Sequence, residues 1–323
     1  MTTSLSPRAS KSTSTRNLAI DRFRGILVIL MIIGDYMSGM RIVPDSLKHA
    51  PDVGLTVADL VALAFVFVIG LTYGQSFAAR RASLGPGVYR YFGLRYSSLI
   101  GIGAIIAAGA NMTGQPTDWG VLQAIGVAGL ITLGVIRLPT WARFAIGAGL
   151  LVAYQLLLDQ WMLPTVLQAV HGGLFGAISW AALLILSTAV ADVWRRGMTA
   201  YVVCCAVLAA AAAATSFFLV PLSKHRVSLS YVLITLAMSA VIYLGFELAA
   251  RVVAARPGPV SWWGENALVL YVVHLLLLGA VVTPPVDWWY VDAPWWLAVV
   301  QAVAILGLMT VVAWRLHLRT QRA

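Results

Sequence analysis

Asp35, His49 and Asp59 are the residues of this sequence whose types and spacing could do chemistry. Asp35 closes one long apolar run, in Gly34-Asp35-Tyr36. His49 lies in the polar connection Lys48-His49-Ala50-Pro51-Asp52, and Asp59 opens the next run three residues after Thr56. The three come from adjacent elements at one expected depth. A carboxylate beside an imidazole fixes the ring's tautomer and raises its basicity, as a general base requires. Ionisable groups at a bilayer edge are costly to keep, so a cluster of them is a mark of function. Asp59 has a second reading: Thr56 and Asp59 have the spacing of a helix N-cap and its N3 partner.

The elements that must position these residues are helices of membrane length. The chain of 323 residues is 60% hydrophobic and 11% charged, with a mean hydropathy of +0.87. Soluble domains are only about 45–50% apolar. Apolar runs lie near 20–40, 57–78, 93–110, 119–136, 142–158, 170–191, 199–220, 228–249, 265–283 and 295–315. Each is long enough to cross a hydrocarbon core of about 30 Å as a helix, and an open sheet would leave backbone groups unsatisfied in lipid. The expected fold is an all-α polytopic membrane bundle of about ten transmembrane helices with both termini cytoplasmic. Residues 1–16 are Ser/Thr-rich and basic and read as a disordered cytoplasmic tail. Residues 17–323 read as one multi-pass membrane domain. Cys204 and Cys205 are adjacent in one apolar run and supply no disulfide framework.

The net charge of +10 reflects topology rather than nucleic-acid binding. With the N-terminus inside, every Lys and Arg falls on the inner side except Arg41, Lys48, Lys224 and Arg226. That bias sets the orientation by the positive-inside rule. The four exceptions occupy two outer connections, the one bearing His49 and the one reading Ser223-Lys224-His225-Arg226. Basic groups gathered beside histidines suit an anionic or polar ligand; chance and snorkelling of helix ends are the competing explanation.

Other polar residues divide between roles. Asn266, Tyr271 and His274 lie on nearly one helix face, and intramembrane Asn and His commonly hydrogen-bond across helices. Gln123 and His171 are open to the same reading. His317 reads as solvated, and the Trp and Tyr residues at 262–263, 288–290 and 295–296 read as an interfacial aromatic belt. No histidine has the paired spacing of a metal site.

Collinear motifs extend the chemical reading. Ile20-Asp21-Arg22-Phe23-Arg24-Gly25, His49-Ala50, Gly54-Leu55-Thr56-Val57-Ala58-Asp59-Leu60 and Phe65-Val66-Phe67-Val68-Ile69-Gly70 come first. Gly120-Val121-Leu122-Gln123-Ala124-Ile125-Gly126, Gly172-Gly173-Leu174-Phe175-Gly176, Pro221-Leu222-Ser223-Lys224, Ser228-Leu229-Ser230-Tyr231-Val232 and Asn266-Ala267-Leu268 with Tyr271 and His274 follow in order. Together they resemble the catalytic membrane domain of the heparan-α-glucosaminide N-acetyltransferase family and its bacterial relatives.

The resemblance implies transfer of an acetyl group from cytosolic acetyl-CoA to a sugar or amino-sugar acceptor on the outer side. It marks His49 as the catalytic residue, either carrying the acyl group or deprotonating the acceptor. Asp59 and Asp35 would support it. Lys224 would bind a CoA phosphate or polarise the thioester carbonyl, with Ser228, Asn266, His274 and Gln123 as further donor-binding residues. Asp35 departs from the family's usual Asn. An ionised Asp cannot donate to an oxyanion, so Asp35 would orient His49 or bind an acceptor ammonium. A bacterial inner membrane, with the His49 loop outside, is the expected setting. A homodimer is compatible with this reading, and a polytopic transporter or flippase is the other function class.

Overall fold

The structure, a computed structural model, describes residues 17–112, 119–252 and 256–322; the expected tail at 1–16 lies outside the described residues. Twelve α-helices and no strand are present among the described residues: α1 Leu18–Met37, α2 Val57–Leu84, α3 Gly87–Met112, α4 Val121–Val135, α5 Thr140–Leu157, α6 Leu163–Leu167, α7 Gly173–Arg196, α8 Met198–Phe218, α9 Leu229–Val252, α10 Pro259–Glu265, α11 Ala267–Val282 and α12 Trp295–Arg322. Each of the ten apolar runs coincides with one of these helices. Seven helices are long and apolar enough to cross a membrane, eight spans if the bent α10–α11 pair counts as one. That makes the chain an integral membrane protein. Of the other two runs, α4 has only 15 residues, and α1 is interrupted by Asp21, Arg22, Arg24 and Asp35.

Helix α7 is the axis of the larger packing unit. Its residues from Ala177 to Ala191 are almost continuously buried, because α2, α4, α5, α8 and α9 all pack on it. A helix apolar on all sides is one enclosed on all sides. Helix α1 bridges this unit to α10 and α11. The α1–α10 crossing depends on glycine: a Cβ on Gly25 would lie 1.9 Å from the Val260 carbonyl oxygen, and one on Gly264 would lie 1.8 Å from that of Asp21. Only a bare Cα allows backbones to approach so closely.

At the end of the bundle that carries His49, two connections are stitched together. Gly54 N donates to the Leu222 carbonyl (2.9 Å). The Arg226 guanidinium grips both oxygens of Asp52, its Nε lying 3.0 and 3.1 Å from them. Ser223 Oγ donates to the same carboxylate (2.7 Å). At the opposite end, buried Arg143 donates to Thr188 Oγ1 (2.8 Å) and to Asp192, joining α5 to α7. Charged groups are thus retained at both ends, paired, while the middle is apolar.

The aromatic belt is present in part. Trp288, Trp295 and Trp296 are exposed, whereas Trp263 and Tyr290 are buried. His317 departs from its solvated reading. It is buried, its Nδ1 lies 2.7 Å from Glu265 Oε2, and it stacks on Trp262. Helix α12 packs on α10 there.

Candidate active site

Thr56 starts α2, and Asp59 one turn later closes the capping box. Asp59 Oδ2 accepts from Thr56 N (3.0 Å), Thr56 Oγ1 (3.0 Å) and Ala50 N (3.2 Å). Its other oxygen, Oδ1, lies 2.9 Å from His49 Nδ1. The helix cap and the contact with His49 therefore coexist, one on each oxygen. The carboxylate is fully buried, whereas the His49 side chain is 37% exposed. Tyr231 OH donates to the Asp59 backbone carbonyl (2.5 Å), tying α9 to the first turn of α2.

Lys224 completes the group. Its Nζ lies 2.8 Å from His49 Nδ1 and 3.5 Å from Asp59 Oδ1. Burial lowers the Lys224 ammonium's pKa below its ordinary value, while the Asp59 charge pulls the other way. Burial likewise lowers that of neighbouring His225. Asp52 is held below the usual carboxylate range, first by its hydrogen bond from Arg226. All four exceptions to the charge bias have acidic partners: Arg41 with Asp292, Lys48 with Asp45, Lys224 with Asp59 and Arg226 with Asp52. Internal pairing accounts for these cations at this end.

Asp35 takes a different partner from the one its position implied. Its Oδ2 lies 3.1 Å from His274 Nε2, so a second carboxylate–imidazole pair joins α1 to α11. Asp35 still exerts a charge effect on Lys224. His274 is 2% exposed, its Nδ1 is without a hydrogen-bond partner, and its ring packs on Tyr271 with centroids 5.1 Å apart.

The remaining candidates lie elsewhere. Ser228 Oγ accepts from Ser223 N (3.1 Å) and donates to the Pro221 carbonyl (3.0 Å), bracing the turn that presents Lys224. Gln123 Oε1 accepts from Gly120 N (2.7 Å) and starts α4. Asn266 stands at the 93° break between α10 and α11 and donates to the Trp262 carbonyl (3.3 Å). His171 has φ 54° and meets Trp180 edge to face. It faces the Lys224 turn through Gly172, where a Cβ would lie 2.9 Å from Val227.

A cavity of about 1180 Å³ runs between α1, α2, α3, α4 and the α10–α11 break. At the end away from His49 it is lined by Asp21, Arg24, Gln75, Arg95 and Glu265. It continues past Phe65, Ile69, Leu99 and Ile102 and reaches Met31, Ala62 and Tyr271. Those last three lie about one helical turn from Asp35, Asp59 and His274 respectively. No group of three or more metal-ligating side chains occurs among the described residues.

Chemically, a buried carboxylate that accepts from Nδ1–H leaves Nε2 of the partly exposed His49 side chain with a free lone pair. That atom is then a base or a nucleophile, with an ammonium at hand for developing negative charge. Residues 16–174 match the family described as heparan-alpha-glucosaminide N-acetyltransferase, catalytic. The chain is 34% identical over 134 residues to mouse heparan-alpha-glucosaminide N-acetyltransferase, a match covering 38% of this chain and 19% of that protein. It is 38% identical over 118 residues to the human protein of the same name, covering 34% and 17% respectively. The chain thus matches less than a fifth of the length of these curated relatives. The segment 16–174 that matches this catalytic family carries His49, Asp59 and much of the cavity wall.

Proposed function

We propose that this chain is a membrane acetyltransferase that takes an acetyl group from acetyl-CoA and delivers it to a sugar or amino-sugar acceptor at the His49 end. The observation that carries this reading is the 2.9 Å contact between His49 Nδ1 and the buried Asp59 carboxylate. The cavity supports the donor assignment. Its far end is lined by Arg24 and Arg95, which suit phosphates, and its apolar stretch past Phe65, Ile69, Leu99 and Ile102 suits the arm of the donor reaching toward His49. By the positive-inside rule that far end is cytoplasmic and the His49 end is outside.

Acetyl-CoA supplies an acyl group on a good leaving thiolate. In one route His49 Nε2 attacks the thioester carbonyl, the C–S bond breaking and the thiolate taking a proton from water, after which the acceptor attacks the acetyl-imidazolium and the acyl–Nε2 bond breaks. In the other, Nε2 removes a proton from the acceptor as the acceptor attacks the thioester and displaces the thiolate. Both routes use the same atom, and in both Asp59 stabilises the imidazolium that forms. Lys224 polarises the carbonyl oxygen. The match to an acetyltransferase catalytic family does not favour a transporter.

The test is His49→Ala in proteoliposomes supplied with labelled acetyl-CoA and glucosamine-type acceptors. Transfer is expected to vanish while expression and thermal unfolding stay as in wild type; retained turnover would overturn the assignment. Label bound to wild-type protein without acceptor, and absent from the variant, distinguishes the covalent route from direct transfer.

A further inference from the structure

His49 Nδ1 is claimed twice, by Asp59 Oδ1 at 2.9 Å and by Lys224 Nζ at 2.8 Å. These two contacts cannot both be hydrogen bonds of a neutral imidazole. An ionised carboxylate only accepts and an ammonium only donates. Asp59 needs a proton on Nδ1; Lys224 needs a lone pair there. If Lys224 wins, the ring proton sits on Nε2 and His49 has no free nitrogen. If Asp59 wins, Nε2 carries the lone pair. Lys224 has an alternative, since Asp59 Oδ1 is 3.5 Å from Nζ.

We propose that Lys224, besides polarising the carbonyl, holds His49 in its unreactive tautomer until a ligand oxygen draws the ammonium away. The reactive nitrogen then exists only when a carbonyl or phosphate oxygen occupies the site. The switch relocates one proton: Nε2 gives its proton to water, Nδ1 takes one from water, and Asp59 accepts from the new Nδ1–H. The ring's charge is the same before and after. The His49 side chain, 37% exposed, admits the water this needs. Thr56 and Ala50 hold Asp59 through its other oxygen, so the carboxylate stays in place in either state. This inference rests on His49 being the reacting residue, but the tautomer is measurable without any acyl transfer.

The experiment is diethyl pyrocarbonate labelling of purified full-length protein at pH 8, with modification of His49 followed by peptide mass spectrometry. This reagent acylates an unprotonated imidazole nitrogen. Lys224→Met is expected to label several-fold faster at His49 than wild type, and Lys224→Arg, which keeps a donor, at the wild-type rate. Labelling of His225 reports any general opening of the loop. Equal rates in wild type and Lys224→Met, or equal acceleration in Lys224→Arg, would overturn the proposal. A second measurement needs only His49→Gln to assign the signal: the ring ¹⁵N spectrum of ligand-free wild-type protein. It is expected to show His49 protonated at Nε2, and protonation at Nδ1 alone would defeat the idea even if the Lys224 variants misfold. If His49→Ala retained acetyl transfer, the chemistry proposed above would fail while the tautomer result stood.

Discussion

Asp59 holds a helix cap and the His49 imidazole through different oxygens. Oδ2 caps α2 and Oδ1 meets His49, so substitutions separate the two. Thr56→Ala removes one cap contact and is expected to cost about 1 kcal/mol with activity nearly intact. Asp59→Asn keeps an acceptor for the cap but cannot stabilise an imidazolium, so acetyl transfer is expected to fall by about 10²–10⁴-fold. Asp59→Asn and Asp59→Ala both leave the buried Lys224 ammonium without its carboxylate, a loss of about 3–5 kcal/mol where a buried pair is broken. Asp59→Ala adds about 1 kcal/mol by removing the cap acceptor as well. Thermal unfolding and turnover measured side by side check the ordering; equal loss of stability in the Asn and Ala variants would contradict it. At this scale the sequence was partly legible. The Thr56-Asp59 spacing and the nearby His49 were visible, but the side of Asp59 that each partner takes was not. Asp35 was assigned to His49 by proximity in the chain, yet it pairs with His274, which is remote in sequence.

Among elements, the connection bearing His49 is held to the connection bearing Lys224 by Asp52 and Arg226. This pair was invisible in the sequence because nothing in local spacing links residues so far apart. Its pH dependence has a definite sign. Asp52 has a folded-state value below its unfolded one, so its contribution is present in full above about pH 4 and is lost as pH falls through the lowered value. Both groups are partly exposed, which screens the pair and keeps the effect modest. Asp52→Asn is expected to flatten the acid limb of a plot of unfolding temperature against pH, measured in detergent between pH 3 and 6. An unchanged acid limb would show that the clamp is not what titrates. The glycine crossing of α1 and α10 was equally hidden. Gly25 stood within a quoted motif, but its partner Val260 was not predictable from it.

Across the whole molecule, the cavity joins features that the sequence presented separately. Arg24 and Asp21 of the opening motif, Gln75 and Arg95 further on, and Glu265 beside the α10–α11 break all line its far end. Ala62 lines the end nearest Asp59. Ala62→Phe is expected to fill that end, raising the KM for acetyl-CoA or lowering kcat several-fold without shifting the unfolding temperature. Unaltered kinetics would place the donor elsewhere. The same scale explains the misreading of His317. A basic helix end looks solvated in isolation, but α12 packs on α10 and buries the imidazole against Glu265 and Trp262.

What the sequence determined by itself was the helical class, the ten apolar runs, the charge bias and the motif that places His49 and Asp59 together. These rest on composition and short-range periodicity, which local chemistry dictates: a chain this apolar must satisfy its backbone within each helix. Partnership between remote residues was settled by packing instead. Lys224 reaches His49, Asp52 meets Arg226, Asp35 meets His274 and the cavity approaches Ala62. Each of these depends on how the helices and their connections pack, and packing is set by the surfaces of several elements at once.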